Sequence, residues 1–260
     1  MTFLVIGVDA ATWRIINPNI DQLPTFKKIL SICDHDTIHL KEKPFSPPLW
    51  CGMFCGKSAE EHGHKDFVVD GEIQTREMIK VDFIWDVLDK KGVNVKAFNI
   101  PFVVPPYNFN VKFDSIGFGL PDNPTEWEEE LEKVTEKTIE LMNEKTEVII
   151  TTFTSLDRVQ HFHWGEPVVL EWYKKLDSKL NKILFGGNFI NDEKNKLIII
   201  SDHGFCSFGE SNVQTLPQKT STGREIKGDH HEDAIIITKN IDYKIEKPQD
   251  VFFALEKEFL

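Results

Sequence analysis

The stretch IIISDHGF, residues 198–205, joins an apolar run to a carboxylate, an imidazole and a glycine. Similar apolar runs recur along the chain, at 3–9 (FLVIGVD), 95–100 (VKAFNI), 147–153 (EVIITTF), 197–201 (LIIIS) and 234–238 (AIIIT). Continuous apolar runs of this length are typical of strands buried on both faces of a mainly parallel sheet. The sequence therefore predicts five core strands, with Asp202 and His203 at the point where one of them ends.

Amphipathic segments alternate with the predicted strands. Residues 126–144 and 167–185 carry apolar side chains at helical spacing, and Thr125 with Glu128 predicts a capping box at the start of the first segment. This alternation predicts a doubly wound α/β fold, with helices on both faces of a mainly parallel sheet. We expect a single domain over 1–260, in which the long irregular stretches 101–124 and 206–229 are functional or mobile.

Composition argues against several classes of protein. The net charge is −12 and no basic stripe is visible, so we expect no nucleic-acid groove. No apolar run approaches the ~18 residues of a membrane span. The segment MTFLVIGVDA lacks the basic start and the cleavage site of a signal peptide, so we expect a cytoplasmic protein. The four cysteines lack the paired spacing of a zinc ribbon, and Cys51 and Cys55 are expected to be buried thiols.

Metal-ligand side chains lie at the ends of the predicted strands. In an open α/β sheet, ligands bind at the carboxyl ends of the strands. Taken singly, an Asp at a strand end is more often a turn or a helix cap, and an Asp-His pair is more often a surface loop. Taken together, the oxygen and nitrogen atoms favour a site for zinc, manganese or iron. The candidate ligands are Asp9, Asp157, His161, Asp202, His203, His230 and His231.

A candidate nucleophile lies in the segment PFSPPLWCGMFCGKSAEEHG, residues 44–63. Ser46 precedes Pro47, a residue type that favours the first helical position, so Ser46 is predicted to cap a short helix that ends at Phe54. The positive end of the helix dipole would then help to bind an anion beside the hydroxyl. For an isolated Ser-Pro pair, a purely structural cap would be the better interpretation.

Seven segments, in order along the chain, resemble one family. They are VIGVDAATWRIINP at the first strand, DQLPTFKKIL after it, the Ser46 segment, FIWDVLDKKGVNVKAFNIPFVVPP, LDRVQH, and the pair SDHGF and GDHHEDAI near the end. The chain thus resembles the alkaline phosphatase superfamily, and within it the type I phosphodiesterase/nucleotide pyrophosphatase family. The resemblance covers most of the chain and implies an alkaline phosphatase-like fold. Because the chain is short for the family, its cap is expected to be absent or reduced to residues 101–124.

The resemblance implies a two-metal hydrolase of phosphoric esters. One divalent ion would be held by Asp157, His161 and His230, and the other by Asp9, Ser46, Asp202 and His203. Zn²⁺ is the expected ion, with Mn²⁺ as the alternative. Ser46 would be the catalytic nucleophile and would form a phosphoryl-enzyme. The expected substrate is a small phosphate ester, with nucleotides among the candidates, and Lys65 and Trp50 are its candidate binding residues.

Alternatives remain open beside the phosphodiesterase hypothesis: a phosphomonoesterase of the same superfamily, or an inactive module that binds metal or nucleotide. A diester is favoured because a monoester usually requires a fixed cation besides the metals. No arginine lies in the Ser46 segment. On a helical turn, Arg158 is expected to point away from the site because it directly follows Asp157, which leaves Arg224 as the exception. Aromatic side chains expected at the mouth of the site are Trp50, Phe67 and Tyr107.

Overall fold

A computed structural model describes residues 1–117, 123–220 and 222–259 of the chain. Its central sheet has seven strands in the order β2-β11-β8-β1-β7-β5-β6. The inner strands β8, β1, β7 and β5 are parallel, and β2, β11 and β6 are antiparallel to their neighbours. The sheet strands are β1 Phe3–Val8, β2 Asp34–His39, β5 Val95–Ile100, β6 Tyr107–Phe109, β7 Val148–Phe153, β8 Lys196–Ile200 and β11 Asp233–Lys239. Two hairpins lie outside this sheet, β3 Val68–Val69 with β4 Glu72–Ile73 and β9 Gly204–Ser207 with β10 Gly228–His231.

Helices cover both faces of the sheet, as the predicted doubly wound α/β fold requires. The α-helices are α1 Trp13–Ile16, α2 Pro24–Leu30, α3 Ser46–Cys55, α4 Ala59–His62, α5 Ile84–Lys90, α6 Pro124–Asn143, α7 Ser155–His163, α8 Pro167–Phe185 and α9 Asp250–Phe259. Alternate residues of each inner strand enter opposite cores. In β8, for example, Leu197 and Ile199 pack with α2, α6, α7 and α8, whereas Ile198 and Ile200 pack with α3, α5 and α9. The apolar runs are therefore continuous because both faces are buried.

The parallel strands bring distant residues to one edge of the sheet. Phe3 of β1 pairs with Val148 of β7 and with Lys196 of β8, so these three strands end at nearly the same level. Asp9, the first turn of α7 and Asp202 come directly after those ends. The β9–β10 hairpin adds His230 by pairing it with Phe205. This register, and not proximity along the chain, assembles the candidate site.

Gly204 allows two strands to pack closely against each other. A Cβ atom at this position would lie 2.1 Å from the backbone oxygen of Asp233, so only glycine allows β9 to pass this close to the start of β11.

The capping box of Thr125 and Glu128 that was expected at the start of α6 is wrong. The helix begins at Pro124, and the side chain of Asn123 accepts a hydrogen bond from the backbone N–H of Thr125.

The stretches expected to be irregular contain short strands. Segment 101–124 contributes β6 to the edge of the sheet, while its residues 118–122 lie outside the described part of the chain. Segment 206–229 begins and ends within the β9–β10 hairpin. Among the described residues, no helix has the length and apolar character that a membrane crossing requires.

Candidate active site

One cluster of ligand-type atoms is formed by Asp157, His161 and His230. The Nε2 atoms of His161 and His230 lie 3.1 and 3.2 Å from Oδ1 of Asp157, and they lie 3.0 Å from each other. Tetrahedral zinc with Zn–N distances of about 2.0–2.1 Å keeps its ligand atoms about 3.3 Å apart. The three atoms therefore converge at nearly the spacing that a single cation requires.

A second cluster contains Asp9, Ser46, Asp202 and His203. The Nε2 atom of His203 lies 3.1 Å from Oγ of Ser46, 3.3 Å from Oδ2 of Asp202 and 3.7 Å from Oδ1 of Asp9. The two clusters adjoin, because the rings of His203 and His230 stack with centroids 3.7 Å apart. All seven residues that the family resemblance implied as ligands are thus brought together at one edge of the sheet.

Backbone carbonyl groups orient the three imidazoles. The Nδ1 atom of His161 lies 3.1 Å from the Gly228 oxygen, and that of His230 lies 2.7 Å from the Pro44 oxygen. In the same way, Nδ1 of His203 lies 2.9 Å from the Gly204 oxygen. Because a carbonyl only accepts, each Nδ1 carries the hydrogen, and each Nε2 presents a lone pair to the cluster. This is the tautomer that a metal-binding histidine needs.

Three buried carboxylate oxygens test whether cations fit these clusters. Oδ1 of Asp9, Oδ1 of Asp157 and Oδ2 of Asp202 are buried and accept no hydrogen bond. Unpaired buried carboxylates are costly, and bound cations would offset that cost. Burial and the charges of Asp202 and Asp157 raise the pKa of Asp9 well above its usual range, while burial lowers the pKa of His203 to about 4 and keeps it neutral. The donor set therefore fits divalent metal ions.

Ser46 occupies the first position of α3 and is not its N-cap, which corrects the sequence expectation. The cap position belongs to Phe45, whose backbone is extended, and Pro47 and Pro48 complete the first turn. The side chain of Ser46 is buried, with 7% of its surface exposed, and it lines a cavity. The hydroxyl thus lies at the positive end of a ten-residue helix and within reach of a bound anion.

A cavity of about 430 Å³ opens onto both clusters. Ligand-type residues form its floor: Asp9, Ser46, Asp157, His161 and His230. Apolar side chains form much of its wall: Phe45, Phe67, Pro101, Val103, Val104, Pro106 and Leu216. A larger cavity of about 640 Å³ lies among residues 39–61 and 242–250 and includes none of the candidate ligands. The volume and lining of the smaller cavity suit a small molecule with one polar, anionic end.

Two expected substrate-binding residues lie elsewhere. Trp50 is fully buried and stacks on Phe54, with ring centroids 6.2 Å apart, so it belongs to the core under the sheet. Lys65 is exposed and does not line the cavity. Of the other expected aromatics, Phe67 lines the cavity, whereas Tyr107 packs on Trp85.

The two arginines exchange the roles that the sequence suggested. Arg158 lines the cavity, with 4% of its surface exposed, whereas Arg224 lies over the ring of Phe162 at 4.1 Å and outside the cavity lining. Helical side chains tilt towards the N-terminus of their helix. The first turn of α7 starts at the sheet edge, so successive side chains, those of Asp157 and Arg158, both reach the cavity. Sequence spacing alone does not carry this information.

Asp229 is a further residue that the sequence analysis missed. It is fully buried, and its carboxylate accepts hydrogen bonds from the backbone N–H of Thr215 at 3.0 Å, from the Thr215 hydroxyl, and from the backbone N–H of His230 at 2.8 Å. Thr215 and Leu216 line the cavity. Asp229 thus connects Thr215 to the strand that carries His230. Its position inside the GDHH motif is the only signal in the sequence.

The family model of type I phosphodiesterase / nucleotide pyrophosphatase matches residues 3–247. The chain belongs to this family. Membership places it among the hydrolases of phosphoric esters, a metal-dependent family. No curated protein matches the chain by sequence.

Solved structures resemble the fold at low sequence identity. Human ectonucleotide pyrophosphatase / phosphodiesterase 5 superposes with a TM-score of 0.68 at 13% identity, covering 100% of this chain and 95% of its own. An inactive variant of the murine protein in complex with AMP gives 0.65 at 13% identity, with coverage of 98% and 95%. Phosphonoacetate hydrolase from Sinorhizobium meliloti, in complex with phosphonoformate, gives 0.58 at 16% identity, with coverage of 86% and 59%. These similarities establish the alkaline phosphatase-like fold.

Proposed function

We propose that the protein is a two-metal phosphodiesterase or nucleotide pyrophosphatase that uses Ser46 as its nucleophile. The observation that carries this proposal is the convergence of Ser46 Oγ with His203 Nε2, 3.1 Å apart, among three buried carboxylate oxygens that accept no hydrogen bond. A serine with a purely structural role would not require such surroundings.

The proposed ligand sets follow the two clusters. Asp157, His161 and His230 would hold one ion, and Asp9, Ser46, Asp202 and His203 would hold the other. Mixed nitrogen and oxygen donors in a buried site suit Zn²⁺, with Mn²⁺ as the alternative. When bound, the ions would lower the pKa of the Ser46 hydroxyl and neutralise charge on the reacting phosphoryl group.

The residues of the chain perform the remaining steps. The Nδ1 hydrogen of His203 is donated to the Gly204 oxygen, so the lone pair of Nε2, 3.1 Å from Ser46 Oγ, would hold the ion beside the serine hydroxyl. Ser46 Oγ attacks phosphorus as the hydroxyl proton passes to water, and the bond from phosphorus to the leaving oxygen breaks with its electron pair on that oxygen, which takes up a proton from water. In a second step water attacks phosphorus and loses a proton, the Oγ–P bond breaks, and Oγ takes up a proton to restore the serine.

The substrate is proposed to be a small phosphate ester, with nucleotides among the candidates. A cavity of about 430 Å³ with apolar walls supports a substrate that carries an organic group beside the phosphate. Residues 101–106 supply several of these walls, so we propose that segment 101–124 is a reduced cap within a single domain. A second candidate function, hydrolysis of phosphate monoesters, is favoured by Arg158 in the cavity.

Turnover by reconstituted protein tests the proposal. The protein is stripped with a chelator, reloaded with Zn²⁺, Mn²⁺ or Mg²⁺, and assayed with phosphodiesters, pyrophosphates and phosphate monoesters. We expect Ser46→Ala to lower kcat by at least about 10³-fold without loss of the fold, and Ser46→Thr to keep part of the activity. The matched control is Ser31→Ala, which changes an exposed serine.

Two results would contradict the proposal. Wild-type rates from Ser46→Ala would exclude the covalent mechanism. Stoichiometric metal binding without turnover of any ester would indicate an inactive module that binds metal or nucleotide.

A further inference from the structure

Arg158 is the only lysine or arginine among the described residues that line the cavity. It follows Asp157 in the first turn of α7 and is almost fully buried. The other charged groups of the lining, apart from the histidines, are the carboxylates of Asp9, Asp66 and Asp157. A buried guanidinium in a lining whose other charged groups, histidines aside, are all carboxylates calls for a functional explanation.

Backbone oxygens hold the guanidinium in place. Nη1 donates to the Ile116 oxygen at 3.4 Å, and Nη2 donates to the Gly117 oxygen. Within the described part of the chain, no carboxylate forms an ion pair with Arg158. Carbonyl groups fix the plane of the group without cancelling its charge. A guanidinium has five N–H donors, so three remain for other partners.

Asp9 and Ser46 line the same cavity as Arg158. A substrate whose phosphorus lies beside Ser46 Oγ would therefore share this cavity with the guanidinium of Arg158.

We propose that Arg158 binds non-bridging oxygens of the substrate and makes the enzyme favour substrates with two or more negative charges at or next to the reacting phosphorus. This inference rests on the proposed hydrolase function. A simple diester carries one negative charge, which the metal ions neutralise, whereas a monoester or a pyrophosphate carries more. The planar fork of arginine matches two phosphoryl oxygens at once. Pyrophosphates and phosphate monoesters are thus preferred over diesters with uncharged leaving groups.

Three substrates distinguish the possible sources of the second charge. Bis(4-nitrophenyl) phosphate has one charge, 4-nitrophenyl phosphate has both charges on the reacting phosphorus, and ADP-glucose has a second charge on the neighbouring phosphorus. We expect Arg158→Met to lower kcat/KM about 10- to 100-fold for one or both of the latter two, and less than about threefold for the diester. Arg158→Lys should retain part of the discrimination, because it keeps the charge without the fork.

The matched control is Arg224→Met, which removes an arginine that lies over Phe162 outside the cavity lining and should leave the substrate ratios unchanged. Because Arg158 also holds residues 116–117, melting temperatures are measured for every variant. Where Arg158→Met does not fold, Arg158→Lys decides. Equal losses of kcat/KM for all three substrates would indicate a purely structural role and overturn the proposal.

A binding measurement separates this inference from the hydrolase proposal. If the metal-loaded wild type turns over none of the esters, that failure belongs to the proposed function. Arg158 is then judged by calorimetric binding of inorganic phosphate. A Kd that is about 10-fold weaker in Arg158→Met supports the inference, and an unchanged Kd overturns it.

Discussion

Replacing Asp202 by asparagine tests whether the buried carboxylates exist to hold cations. Asp202 is fully buried; its Oδ1 accepts a hydrogen bond from the backbone N–H of Ala10 at 3.3 Å, and its Oδ2 accepts none. Asparagine has the same shape, keeps the oxygen that faces Ala10 and removes the charge. The new amide nitrogen would lie about 3.3 Å from the lone pair of His203 Nε2, where it could donate. The substitution should therefore affect the metal-free and metal-loaded proteins in opposite directions.

The expected size follows from ligand linkage. An ion present at 100 times its Kd stabilises the folded state by about 2.7 kcal/mol. For a chain of 260 residues, an unfolding entropy of about 2.1 cal/mol/K per residue makes this equivalent to about 5 °C in Tm for each ion. Without metal, relief of an unpaired buried acceptor contributes about 1–3 kcal/mol, so Asp202→Asn should melt about 2–5 °C above the wild type.

Differential scanning fluorimetry with Zn²⁺ or with a chelator measures both effects. We expect the chelator to lower the Tm of the wild type clearly and that of Asp202→Asn by less. The wild type should melt at the higher temperature with Zn²⁺, and Asp202→Asn should melt at the higher temperature with the chelator. Asp34→Asn, which changes an exposed carboxylate on β2, is the control. A wild-type Tm that does not respond to chelator, or an Asp202→Asn protein that is less stable than the wild type in chelator, would refute the reasoning.

Three further predictions concern the surroundings of the site. Asp229→Asn should raise KM about 10-fold with a smaller effect on kcat, because Thr215 in the cavity lining loses its hydrogen bonds to a charged carboxylate. Steady-state kinetics measure both constants, and an unchanged KM would contradict this prediction. Burial raises the pKa of Glu130 above 4.5, so the stability that this residue contributes is present below that pH and is lost as the pH rises. The Tm of Glu130→Gln should therefore increase relative to that of the wild type with increasing pH. A difference in Tm that stays constant with pH would refute this prediction. Gly7→Ala should destabilise by about 1–3 kcal/mol in urea unfolding, since its Cβ would lie 2.6 Å from the Trp50 ring, and an unchanged midpoint would contradict it.

The core strands were predictable because their apolar character is continuous. Burial on both faces removes the polar alternation, and β1, β5, β7, β8 and β11 all carry this signal. The edge strand β2, with the sequence DHDTIH, was not predictable because most of its residues are exposed and nothing in its pattern indicates pairing. The β9–β10 hairpin has only four residues in each strand, which is too short for a periodic pattern.

The candidate ligands were predictable for a topological reason. Parallel strands end at one edge of the sheet, so residues that are distant in sequence must meet there. Ala10, the neighbour of Asp9, lies 192 positions before Asp202, yet its backbone N–H donates to the Asp202 carboxylate. Side-chain direction was not predictable in the same way. Trp50 and Arg158 were assigned to the wrong places because the orientation of α3 and α7 relative to the sheet depends on tertiary packing.

Rapid-quench mass spectrometry of the Ser46 peptide tests the central claim most directly. Metal-loaded protein is mixed with excess bis(4-nitrophenyl) phosphate or ADP-glucose, quenched in acid before the steady state, and digested. We predict that the phosphoryl or nucleotidyl group of the substrate is found on Ser46, and that Ser46→Ala carries no such group. Turnover by the wild type with Ser46 unmodified at every quench time, or with the group on another residue, would contradict the assignment of Ser46 as the nucleophile.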